Sequence, residues 1–171
     1  VTGAILRMTE LENPNFSKKY GMKLKQLYES ESKIVSNFYP EALYNLGEYK
    51  YQNKEFASAK FFMNEYLQNR NKDPECAPYA SKRLADIASR THESISEVKG
   101  LLLQTYDQYP KTDIGKFSYV TAMLLDYNKH DPSEQERRTL VVDEVLATIK
   151  DLKLKHLAEL NKGLAVLDAG K

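Results

Sequence analysis

Tryptophan is absent from this 171-residue chain and cysteine occurs once. Only seven glycines and six prolines are present, so the composition fits a helical protein better than a turn-punctuated strand-rich fold or a disordered segment. The lone Cys76 excludes an internal disulfide and a thiolate metal cluster within the chain. Its place in Asp73-Pro74-Glu75-Cys76-Ala77-Pro78 reads as an inert, partly buried thiol. No run approaches the roughly 18 apolar residues that span a bilayer, and no charged start followed by an apolar core marks a secretory signal, so no direct membrane span is expected. An excess of charge is missing too. The 25 basic and 24 acidic residues leave +1, which provides no global field to draw in nucleic acid or an anionic surface.

Residues for catalysis are also lacking. Acid–base chemistry needs titratable groups gathered in one pocket, and the obvious carriers, His92, His130 and His156, are scattered over turns and a late helix without a second histidine at ligand spacing. There is no glycine-rich phosphate loop and no nucleophile elbow. No enzyme activity, cofactor or metal is expected. Lys18, Lys19, Lys23 and Lys25 form one basic patch and Lys150, Lys153, Lys155 and Lys162 another, but acidic residues interleave soon after each, so nucleic acid is not the expected partner. Asn15-Phe16-Ser17 is a glycosylation sequon of a kind that arises readily by chance. The chain opens on Val rather than Met, as a processed protein or an excised fragment does.

What the chain has is helical periodicity, repeated. After a short amphipathic piece, Ala4 to Leu11, ended by Asn13-Pro14, the residues Tyr20, Leu24, Leu27, Tyr28, Ile34, Val35 and Phe38 form one apolar stripe over about 17–38, stopped by Tyr39-Pro40. From Glu41 to Arg70, Leu43, Leu46, Gly47 and Lys50 sit at helical spacing, Gln52-Asn53-Lys54-Glu55 turns the chain, and Phe56, Ala59, Met63 and Tyr66 resume the period. Gly47 and Ala59 are small enough to let two facing helices close up. A second pair has Leu84, Ala85 and Ala88, the turn Arg90-Thr91-His92-Glu93, then Ile95, Val98, Leu102 and Thr105 up to Tyr109-Pro110. A third begins at Thr112-Asp113 with Phe117, Val120, Thr121 and Leu124 inward, turns at residues 128–133, and continues through Leu140, Val141, Glu144, Val145, Thr148 and Ile149. The leucines from Leu152 to Leu167 belong either to the same helix prolonged or to a terminal cap. Prolines 40, 74 and 110 punctuate at intervals of 34 (74 − 40) and 36 (110 − 74) residues, and a hairpin that cannot bury its apolar face alone requires stacked neighbours. The twelve tyrosines suit such a thin stack, since each packs a ring while its hydroxyl reaches water.

Glu41-Ala42-Leu43-Tyr44-Asn45-Leu46-Gly47 followed by Phe56-Ala57-Ser58-Ala59-Lys60-Phe61-Phe62 resembles the consensus of the tetratricopeptide repeat family. The second pair looks like a degenerate copy, and the third keeps the spacing of its first helix. Lys50 stands where a large apolar residue is common and Tyr66 where a small one is. The resemblance implies an all-α fold of antiparallel hairpins stacked in a right-handed superhelix, one domain over 1–171 with units at 17–38, 41–73, 76–110 and 112–150 and a C-terminal helix or cap at 151–171.

In that family the first helix of each pair lines a concave groove for a protein or peptide partner. Carried over, the groove residues are Glu41, Tyr44, Glu48, Tyr51 and Gln52, then Tyr79, Lys82, Asp86, Ser89 and Arg90. The family's carboxylate clamp pairs Lys with Asn one turn apart, whereas here Tyr44 with Glu48 and Lys82 with Asp86 hold those places, so no clamp is expected. The implied function is a non-catalytic adaptor or scaffold. The alternative is self-association, or docking within a larger multi-protein machine, which the apolar C-terminal pattern favours. Tyr39-Pro40 and Tyr109-Pro110 are also similar to hairpin ends in tetratricopeptide proteins of bacterial cell envelopes, outer-membrane assembly lipoproteins and flagellar-motor accessory proteins among them, which points to the periplasm or envelope rather than the cytoplasm.

Overall fold

The computed structural model describes residues 40–170, and these fold into seven α-helices with no strand among them. The expected helix at 17–38, the basic patch Lys18 to Lys25 and the sequon at Asn15 lie outside the described residues. The helices are α1 (Pro40–Gln52), α2 (Phe56–Gln68), α3 (Ala77–Arg90), α4 (Ile95–Gln108), α5 (Asp113–Leu124), α6 (Pro132–Ala147) and α7 (Leu152–Ala169), with a 3-10 turn at Tyr127–Lys129. No helix is long and apolar enough to cross a membrane, within the described residues. The chain divides into two compact units between Thr91 and His92. That boundary falls inside Arg90-Thr91-His92-Glu93, the turn expected within the second hairpin, so α3 belongs to the first unit and α4 to the second.

In the first unit α1 and α2 form an antiparallel hairpin, and α3 packs on α2. The turn closes as a Schellman motif. Glu55 N–H donates to the Lys50 carbonyl at 2.9 Å and Lys54 N–H to that of Tyr51 at 2.9 Å, with Lys54 itself left-handed at φ 61°. This explains the unusual lysine at position 50. Its stem is buried and its ammonium reaches the Glu55 carboxylate, a charged pair at the place where such motifs ordinarily carry an apolar contact. Gly47 is buried against α2, and the three atoms closest to a Cβ built there all belong to the Met63 side chain, the nearest at 2.7 Å, so the close approach is made to a thioether. Tyr66, where a small residue was the norm, is fully buried, sets its ring 5.5 Å from that of Tyr44, and donates its hydroxyl to the Asp73 carbonyl at 3.0 Å. One large side chain thereby ties the hairpin to the connection leading into α3. That helix buries small residues, Ala77, Ala80, Ala85 and Ala88, beside Ile87.

In the second unit α5 is central, packing against α4, α6 and α7. Its core gathers Ile114, Phe117, Val120 and Leu124 of α5, Tyr127 of the 3-10 turn, Val142 and Leu146 of α6, Ile149, and Ala158 of α7. Capping fixes the ends. Ser94 and Glu97 form a reciprocal capping box at α4, Thr112 accepts from Gly115 N–H at 3.1 Å at α5, and Asp131 and Asp151 accept from the first-turn amides of α6 and α7. The residues after Ile149 therefore form a separate helix. Asp113 fastens the break: its Oδ2 accepts from Lys150 N–H at 3.1 Å and Asp151 N–H at 2.8 Å, while Lys116 Nζ donates to the Thr148 carbonyl at 2.9 Å. On α6 the buried residues are Val142 and Leu146, followed by Ile149, whereas Leu140, Glu144 and Thr148 of the expected pattern are exposed.

Candidate interaction site

The candidate groove residues lie on two helices of the first unit, at i, i+3, i+7 along α1 (Glu41, Tyr44, Glu48, with Tyr51 and Gln52 beyond) and at 79, 82, 86 and 89–90 along α3. Side chains at that spacing share one helix face. Arg83 joins the two faces. Its Nε donates to Glu48 Oε1 at 2.7 Å and its terminal amino group to Oε2 at 2.6 Å, a fork-to-fork pair between α1 and α3. The second terminal nitrogen reaches Asp86 Oδ2 at 3.2 Å, and Asp86 also accepts from Lys82 Nζ at 2.8 and 3.0 Å. Beneath the guanidinium lies the Tyr51 ring, 4.2 Å from centroid to Cζ, which in turn meets Phe56 edge-on at 5.7 Å.

Burial alone lowers the pKa of Arg83, but the hydrogen bonds it donates to Glu48 and the charges of Glu48 and Asp86 outweigh it, so the guanidinium is held above its ordinary range. Glu48, Tyr51, Lys82 and Asp86 are thus brought together in one network. Tyr44 is half-buried against Tyr66. Glu41 is half-buried, while Gln52, Tyr79, Ser89 and Arg90 are exposed along the same two stripes. Arg83 itself was missed by sequence reasoning, although a signal existed. It stands 35 residues after Glu48, within the 34 to 36 residues that separate the punctuating prolines, and carries the opposite charge.

A second charged cluster sits in the other unit. Asp126, just after α5, accepts from Lys99 Nζ at 2.9 and 3.1 Å and from Arg138 at 2.8 Å, and Arg138 Nε donates to Glu134 at 2.8 Å. Burial raises the Asp126 pKa, yet the bonds and charges of Lys99 and Arg138 prevail and bring it down to about 2. His130 Nε2 is buried 3.4 Å from the same carboxylate without hydrogen-bonding to it. Among the described residues no group of three His, Cys, Asp or Glu side chains is placed to hold a metal ion. His92 lies exposed in a turn with φ 60°, and His156 is exposed on α7.

A shallow open groove runs between α6 and α7, about 600 Å³ in volume and spanned by the Lys162–Asp143 ion pair at 2.6 Å. Comparison of the chain with protein-family models, with curated proteins and with solved structures returns no match.

Proposed function

We propose that the chain is a non-catalytic scaffold of the tetratricopeptide kind, holding an extended or helical segment of a partner protein against the α1 and α3 face of its first unit. One observation supports this above the rest: the Glu48–Arg83 pair ties α1 to α3, the two helices that carry the candidate groove residues. Both charge signs are already neutralised within the network. A partner therefore gains little from an unpaired charge and most from apolar contact with exposed and half-buried tyrosines, Tyr44, Tyr51 and Tyr79, framed by hydrogen bonding at Gln52 and Lys82.

Variants must spare the fold to test it. Tyr44 and Glu48 support neighbouring side chains, whereas Gln52 and Arg90 are exposed, so Arg90→Ala combined with Gln52→Ala should leave helicity and melting temperature in place while a defined set of captured proteins drops out. Quantitative mass spectrometry of proteins retained by immobilised wild-type and variant chains reads the result. Identical retention by both would refute the groove. A second reading, self-association or docking into a larger assembly, is favoured by the exposed leucines of α7.

A further inference from the structure

We draw no further inference here: the strongest candidate, the stripe of exposed leucines on α7 formed by Leu157, Leu160, Leu164 and Leu167, carries none because nothing in the structure shows what covers it.

Discussion

Two glycines in the second unit should respond to the same substitution with opposite sign. Gly115 lies in the first turn of α5, where a Cβ would come within 2.1 Å of the Tyr109 carbonyl oxygen, 2.9 Å of its carbon and 3.1 Å of Thr112 Oγ1. The first distance is about 1.3 Å short of the 3.4 Å at which ordinary contact begins, and the obstructing atoms are backbone, which has no rotamer to change. The carbonyl that must move accepts from Thr112 N–H at 3.2 Å and Thr112 Oγ1 at 2.9 Å, and Thr112 in turn caps Gly115 N–H. Displacing it strains three hydrogen bonds worth roughly 0.5–1.5 kcal/mol each. Alanine returns about 1 kcal/mol through helix propensity, which leaves Gly115→Ala destabilising by roughly 0.5–3.5 kcal/mol. For a unit of this size that lowers the melting temperature by roughly 2–28 °C. Gly100, exposed within α4, has nothing within 4 Å of its built Cβ. Only the propensity term acts there, so Gly100→Ala should raise stability by about 0.5–1 kcal/mol. Thermal denaturation followed by circular dichroism measures both, and amide exchange in α5 localises the loss. If Gly115→Ala is neutral or stabilising, the tight passage from α4 into α5 has been misread.

Two further expectations concern charge. Because Glu48 and Arg83 meet through two parallel bonds with little exposure, a double-mutant cycle of Glu48→Gln and Arg83→Gln in urea should give a coupling of roughly 1–2 kcal/mol, and Arg83→Lys should recover little of it, since an ammonium can neither fork nor stack on Tyr51; a coupling near zero would mean the pair is only a surface contact. Asp126, with its folded pKa of about 2 below the unfolded value of about 3.8, contributes stability that is fully present above pH ~4 and lost as pH falls through about 2. Allowing for solvent screening, that contribution is about 1 kcal/mol. Glu134, brought down to about 2 by Arg137 and Arg138, adds to the same acid limb. Asp126→Asn should therefore flatten the fall in urea midpoint between pH ~5 and ~2.5, and an unchanged slope would show that Lys99 and Arg138 do not hold the carboxylate as described.

Helix positions were legible because the chain marks them with physical stops. Pro110 and Pro132, the polar turn after Gln52 and the Thr112-Asp113 cap all fall within a residue or two of observed boundaries, and Pro74 lies in the connection that leads into α3. Facing was harder to read. On α6, Val141, Val142, Val145 and Leu146 spread apolar content over two faces, so periodicity alone does not choose between them. Tertiary bonds make the choice: Gln135 donates to the Tyr127 and His130 carbonyls, Arg138 to that of Met123, and Thr139 pairs with the Tyr127 hydroxyl, which turns Val142 and Leu146 inward and leaves Leu140 in water. On α7 the usual rule that leucine marks the buried stripe holds only for Leu154, because Ala158, Ala165 and Ala169, packed beside it, let the helix come close to the core while the other leucines are exposed. Arg83 escaped notice, and Lys50, seen as a departure from the pattern, went unexplained, for a common reason. Their worth lies in a partner, Glu55 in one case and Glu48 in the other, and a single-residue pattern does not show pairs.

Asp113 has a wider consequence than its place in a first turn suggests. The amides that open the C-terminal helix are hooked by a carboxylate 37 residues upstream, so the launch angle of the leucine stripe is dictated from the far side of the unit and not by the three or four residues immediately before it. Release that hook, and what still sets the direction of the final helix is the packing of Ala158, Ala165 and Ala169 on the core of the unit.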